Sequence, residues 1–418
     1  MKAQIRNYFF SQTARDSGIL LIGTTVSAFL GFITTFLLAP KLGAADFGIF
    51  NTALAFSQLM AELFEFGIGA ATLSLVAQTV VQKKTSILTT ALVVRLLSAS
   101  LVGILIAILA PQLSLMIFNS LDFLPFVLIC AWGTVLYIVV SWFQTLFQAL
   151  KKFPMAASVN FSVNISRFLF VILLMTLGGL TAYSTYLSSQ IAFIGSLLMC
   201  LFFTTSLFSL RTVQWQDAKK LLTFGLPIGL GLALTAVYAR IDQIVVFRLL
   251  GESEAGIFGL ASRISTLFIF STTALNAALV PRFIELKNSQ FTAYFTKSLL
   301  ASVGLVAACV ISIMLSPWLI PFFFGNEFQE SVLIYQILGL GMSLFIFAFL
   351  FQNAVVYHFK KNVFPFFLSL TSLGILVGSL LWSIPLYGIV GAAWSVVGMY
   401  AYQAVSSVLY FSLVSKQA

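Results

Sequence analysis

Long apolar runs alternate with short polar interruptions along the chain, and twelve of the runs reach the roughly 20 residues that an α-helix needs to cross a bilayer. The interruptions predict spans over 17–39, 47–68, 86–110, 123–149, 155–177, 183–207, 221–247, 255–279, 293–316, 332–357, 363–384 and 388–410. The second run continues past Gly67 and Gly69 to Gln82, as a broken or an interfacial helix. The fold class this implies is all-α, a polytopic membrane protein with 12 transmembrane helices.

Composition removes the soluble alternative. Of 418 residues 60% are hydrophobic and 8% charged, where a soluble domain carries about 25% charged residues to cover its surface. Cys130, Cys200 and Cys309 each sit inside an apolar run without a CxxC partner, so neither a disulfide framework nor a thiolate metal site is indicated. His358, the single histidine, lies beside Lys360 and Lys361 at a predicted helix end; it excludes paired-His zinc motifs and reads as an interfacial polar residue. The basic segment before residue 17 lacks a small-residue cleavage site, so the first span is expected to remain as an anchor.

Charge placement tests the division into spans, because cytoplasmic loops are enriched in Lys and Arg. Sixteen cations fall in alternate loops: Lys2, Arg6, Arg15, Lys83, Lys84, Lys151, Lys152, Arg211, Lys219, Lys220, Arg282, Lys287, Lys297, Lys360, Lys361 and Lys416. The opposite loops hold only Lys41 and Arg248, and collect Asp46, Asp122, Glu252, Glu254, Glu327 and Glu330. Both termini are therefore expected in the cytoplasm. The net charge of +10 is mostly a topology signal and gives no reason to invoke nucleic acid.

The chain also repeats itself. Residues 42–53, LGAADFGIFNTA, align with 250–261, LGESEAGIFGLA, at six identical positions of twelve. The offset of 208 is almost half the length, and Lys151-Lys152-Phe153-Pro154 is echoed by Lys360-Lys361 and Pro365. Two six-helix bundles follow, over residues 1–208 and 209–418. Since six is even, both enter from the same side and the internal repeat is parallel.

With the L-G-x-x-[acid]-x-G-I-F-x-x-A element in both halves, Arg240-Ile241-Asp242 ahead of Leu250-Gly251, and the paired-lysine loops, the sequence resembles the polysaccharide transporter (O-antigen flippase) family. That family belongs to the multidrug/oligosaccharidyl-lipid/polysaccharide exporter (MOP) superfamily. The resemblance implies a V-shaped alternating-access transporter in the bacterial inner membrane. Twelve helices favour the O-antigen type over the fourteen usual for lipid II flippases. It implies a lipid-linked oligosaccharide and membrane lipids as partners, with a polysaccharide polymerase and a chain-length regulator as candidate assembly partners. No bond is made or broken, so no enzyme and no cofactor are expected, apart from H⁺ or Na⁺ as a coupling ion.

Apart from Lys297, which stands four residues into its span and is counted with the basic loop, seven ionisable residues fall within spans: Glu62, Glu65, Arg95, Arg167, Arg240, Asp242 and Arg263. Each costs about 3 kcal/mol at the bilayer centre if it faces lipid, so they are expected to face water or one another. Asn51, Gln58, Glu62 and Glu65 share one helix side by spacing, as do Asn160, Asn164 and Arg167, and Ser141, Gln144 and Gln148. Arg95 lies about nine residues into its span, roughly 14 Å deep. The reading is a wet, polar-lined cavity in which Arg95, Arg167, Arg240 and Arg263 draw a pyrophosphate-sugar head group, since guanidinium stays charged and binds phosphate bidentately. The alternative for each residue is a structural ion pair. Glu62, Glu65 and Asp242 are ion-coupling candidates.

Two glycine-rich and aromatic features read as structural: Gly225, Pro227, Gly229 and Gly231 as a bend or a close helix contact, and Trp132, Trp142, Trp318, Trp382 and Trp394 as interface anchors or packing residues. Two other functions remain in view. A multidrug or cation antiporter of the same superfamily should favour acidic over basic cavity residues. A membrane polysaccharide polymerase or ligase should carry a long extracytoplasmic loop, whereas the outer loops here reach about a dozen residues.

Overall fold

A computed structural model describes residues 12–78, 81–204, 208, 212–286, 288–361 and 363–416. Several cations of the expected basic face lie outside the described residues: Lys2, Arg6, Arg211 and Lys287, with the side chains of Arg15, Lys83 and Arg282. Every regular element among the described residues is helical. The first half holds α1 (Gln12–Leu63), α2 (Ile68–Gln78), α3 (Val81–Ile108), α4 (Ala110–Phe118), α5 (Leu124–Ala149), α6 (Phe153–Leu177) and α7 (Ala182–Thr204). The second holds α8 (Trp215–Tyr238), α9 (Ile241–Leu250), α10 (Glu252–Glu285), α11 (Asn288–Phe324), α12 (Ser331–Asn353) and α13 (Phe364–Ser415).

Ten helical stretches among the described residues are long and apolar enough to cross a membrane. Two are too long to be single spans: the 52 residues of α13 would run about 78 Å, against a hydrocarbon core of about 30 Å. Each is broken by a glycine whose backbone other residues rarely adopt, Gly43 (φ 76, ψ 171) in α1 and Gly388 (φ 59, ψ −142) in α13. Divided there, the ten stretches become the twelve spans that hydropathy predicts. The run past Gly67 is a broken helix: α1 ends at Leu63, Phe66 (φ 52) and Gly67 (φ 65) are left-handed, and α2 resumes at Ile68.

The duplication is written into the backbone. Gly251 (φ 92, ψ −170) adopts nearly the conformation of Gly43, 208 residues earlier. Lys151 (φ 58) and Lys360 (φ 57) are both left-handed, as are Gly178 (φ 70) and Gly388 (φ 59). The break at Phe66 and Gly67 has no counterpart, because α10 runs unbroken from Glu252 to Glu285.

Packing partitions the chain differently from the duplication point at 208/209. One compact unit contains Met1–Leu38 and Ala53–Ala236, and a second contains Ala39–Thr52 and Val237–Ala418. The reason is close helix approach through small residues, which drives helix association where lipid removes the hydrophobic term. In the second unit, a Cβ on Gly48 would strike the Glu252 carbonyl, and a Cβ on its repeat equivalent Gly256 would strike the Ala44 carbonyl. The contact is reciprocal, and it binds residues 44–52 to the start of α10. The Glu327 carboxylate adds a cap, accepting from the Ala44 N–H at 2.7 Å where that helix begins.

The first unit is built around α5. Ile138, Trp142, Phe143, Leu146 and Phe147 are fully buried against small residues of neighbouring helices, among them Ala91 and Ala99 of α3 and Ala156 of α6. Trp142 is thus a packing residue, whereas Trp318 and Trp382 are about two-thirds exposed, at 70% and 66%, and face outward. Cys130, Cys200 and Cys309 are buried and free. Gly225 and Gly229 of α8 are contact glycines: Cβ atoms there would lie 2.8 Å from the Phe66 carbonyl oxygen and 2.5 Å from its carbon. Pro227 sits between them inside a continuous α8.

Gly229→Leu is therefore expected to destabilise the protein by about 1–3 kcal/mol or more through overpacking. Gly231→Leu, with nothing within 4 Å of its Cβ position, should be tolerated. Thermal unfolding of the two detergent-solubilised variants separates them, and equal melting temperatures would contradict the contact.

Candidate functional site

The break between α1 and α2 exposes backbone groups that helix would otherwise satisfy, and in a membrane something must replace them. Arg95 of α3 does so. Its Nη1 donates to the Glu65 carbonyl at 2.9 Å, while Nη2 meets Glu65 Oε1 at 3.2 Å and donates to Ser141 Oγ at 3.5 Å. The side chain is 1% exposed, and its Nε has no partner among the described residues. The structure thus places Arg95 and Glu65 as a buried clamp on the helix break. In this arrangement Arg95 does not present its charge to a passing anion, and Glu65, beyond the last helical residue of α1, leaves the side shared by Gln58 and Glu62.

Arg167 of α6 is held quite differently. Its Nε donates to the Ser189 carbonyl at 3.2 Å, and its guanidinium lies 4.8 Å above the Phe193 ring. Both partners come from α7, and both are neutral. Along the same side of α6, Asn164 Nδ2 donates to the Asn160 carbonyl at 3.1 Å, with Asn160, Asn164 and Arg167 all half-buried. Gln144 and Gln148 of α5 are also half-buried, and these α5 and α6 residues include no carboxylate.

In the second unit the polar residues form one connected network. Arg263 Nε donates to Asn51 Oδ1 at 2.5 Å, and Asn51 Nδ2 donates to Gln243 Oε1 at 3.1 Å. Gln243 Nε2 donates to Thr52 Oγ1 and to the Ala255 carbonyl, each at 3.0 Å. The Gln243 N–H donates to Asp242 Oδ1 at 2.8 Å, and Arg263 also lies 5.9 Å from the Phe50 ring centroid. Asn51 thus belongs with Arg263, while Gln58 and Glu62 belong to the other unit. Sequence reasoning missed Gln243, the hub, although a lone amide ahead of Ile244-Val245-Val246 is a readable signal.

Arg240 and Asp242 flank a second break. The helix ends at Tyr238 and restarts at Ile241, so Arg240 occupies the N-cap position of α9 and Asp242 its first turn, where the helix dipole favours a carboxylate. Among the described residues no group of three or more His, Cys, Asp or Glu side chains could hold a metal.

Twelve spans, with a corner at Gly43 between the first and second and breaks within the second and seventh, make up a fold shared with MOP-superfamily transporters. An inward-facing multidrug resistance MATE transporter aligns at TM-score 0.77 and 12% identity, over 93% of this chain and 95% of that one. An inward closed lipid II flippase MurJ aligns at TM-score 0.77 and 16% identity, over 95% and 89%. A MOP-superfamily transporter from Pyrococcus furiosus, whose binding pocket has reversed polarity, aligns at TM-score 0.67 and 13% identity, over 96% and 95%. A comparison with curated sequences gives no match. The family described as polysaccharide biosynthesis protein matches residues 13–287, more than half of the chain. The chain belongs to that family, as a multi-pass membrane protein.

Removing Arg95 leaves the Glu65 carbonyl and its partly exposed carboxylate without this donor, a loss of about 1–3 kcal/mol. Arg95→Ala should therefore fold poorly, while Glu65→Gln, which keeps an acceptor for Nη2, should be milder. A double-mutant cycle on thermal stability checks the pair, and additive effects would rule out the clamp.

Proposed function

We propose that the protein is a flippase that carries an undecaprenyl-pyrophosphate-linked oligosaccharide from the cytoplasmic to the periplasmic leaflet by alternating access. It stands in the bacterial inner membrane with both termini in the cytoplasm, the orientation its basic loops favour. The observation that carries this reading is Arg167. A guanidinium within a membrane span is costly, and this one has a carbonyl and an aromatic ring for partners, which leave its full positive charge for an anion. Membership of a polysaccharide biosynthesis family supplies the sugar, and a pyrophosphate supplies the anion.

Arg240 and Arg263 extend the same role into the second half of the chain. Arg95 serves it indirectly, by holding the break in the second span. The fold is equally that of multidrug transporters, but a cation antiporter gains nothing from arginine in its spans. The reversed pocket polarity of the Pyrococcus furiosus transporter is in keeping with charge sign, rather than fold, deciding what such a protein takes. Glu62 and Asp242 are the carboxylates we assign to ion coupling.

Arg167→Gln should lower export of lipid-linked glycan about tenfold or more at unchanged protein level, as expected for loss of a charge-assisted contact. Arg167→Lys should retain part of it. Unchanged export in Arg167→Gln, scored by leaflet-specific labelling of the glycan, overturns the assignment. Asp242→Asn in sealed vesicles should abolish the response of transport to an imposed H⁺ or Na⁺ gradient, and gradient-independent transport by the unaltered protein would remove coupling altogether.

A further inference from the structure

His358 leads to a site that the transport reading does not use. The residues after Asn353 form a single π-helical turn, Ala354–His358, which lays the imidazole face to face on Phe291, with centroids 3.7 Å apart and planes 4° from parallel. Its Nδ1 is 3.0 Å from the Phe283 carbonyl at the end of α10. One turn along α11, Phe295 stacks on Phe411 from the last turns of α13 at 4.8 Å. The start of α11, the turn that follows α12 and the end of α13 leave a cavity of about 250 Å³, walled by Phe291, Phe295, His358, Phe359 and Phe411. The exposed residues Thr292 and Ser415 complete its lining.

Two further observations define its ligand. Three membrane spans, Gln290–Phe324, Ser331–His358 and Phe364–Ser415, terminate at lining residues or next to one, so the cavity lies at the boundary between hydrocarbon and water. Cations adjoin its lining residues in the chain. Exposed Lys360 and Lys361 directly follow Phe359, and exposed Lys416 follows Ser415. Aromatic walls at headgroup depth with lysines at the edge complement a molecule that has an apolar root and a negative head.

We infer that this cavity is a binding site for an anionic phospholipid of the surrounding leaflet, its phosphate on Lys360, Lys361 and Lys416 and its glycerol and upper acyl segment against the phenyl rings. The site lies wholly within the second unit and does not depend on what the protein transports. It gives the basic loop after α12 a use beyond setting orientation, and makes the lipid a clamp between the ends of α12 and α13.

Native mass spectrometry of the full-length protein, released from vesicles of phosphatidylglycerol or of phosphatidylcholine, tests this directly. The unaltered protein should retain phosphatidylglycerol selectively. Neutralising all three lysines with Gln should weaken that retention about a hundredfold, to the level of phosphatidylcholine. Ser415→Trp and Thr292→Trp fill the cavity from exposed positions and should abolish retention while the protein stays folded. Equal retention of the two lipids by the unaltered protein, or undiminished phosphatidylglycerol retention in both Trp variants, overturns the proposal.

Discussion

A bilayer offers no water to a polar group, and the architecture of this chain follows from that constraint. Where helix is interrupted inside the membrane, polar side chains from other segments gather at the break. At Phe66 and Gly67 the donor is Arg95, reaching from α3 to both the carbonyl and the carboxylate of Glu65. At the break before α9, Gln243 ties the new helix to Thr52 and to the Ala255 carbonyl. Charges that look alike in the sequence are therefore spent on different tasks: Arg95 completes a backbone, whereas Arg167 keeps neutral partners.

Close contact between glycines is the complementary device. Gly48 with Gly256, and Gly67 with Gly225 and Gly229, bring backbones together without side chains between them. Such contacts join segments from opposite sides of the duplication point within one packing unit, which is why the unit boundaries fall inside the first, second and seventh spans rather than at residue 208. Breaks and glycine contacts coincide at the second span, where Gly67 both departs from helix and receives α8.

Much of the fold is legible in the sequence because the bilayer simplifies it. Twelve apolar runs gave twelve spans, and the LG pair at 42–43 and 250–251 marked the corners where Gly43 and Gly251 turn the chain. Helix periodicity was less informative about the site. The spacing that groups Asn51, Gln58, Glu62 and Glu65 assumes an unbroken helix, yet the helix stops at Leu63 and Asn51 packs with the other unit. The Arg95–Glu65 pair joins residues 30 apart through a non-helical backbone, which local pattern does not encode. The aromatic cavity escaped for another reason: phenylalanines at helix ends read the same whether they meet lipid or each other, and only a three-dimensional arrangement puts His358 on Phe291.

Asn51 and Gly259 occupy equivalent positions in the two repeats, and there the symmetry of the duplication ends. The Asn51 amide reaches into space that even an alanine at 259 would fill. Only the absence of a side chain at 259 lets the Asn51 amide stand where it accepts from Arg263, so a residue with no chemistry of its own keeps a charged one in place.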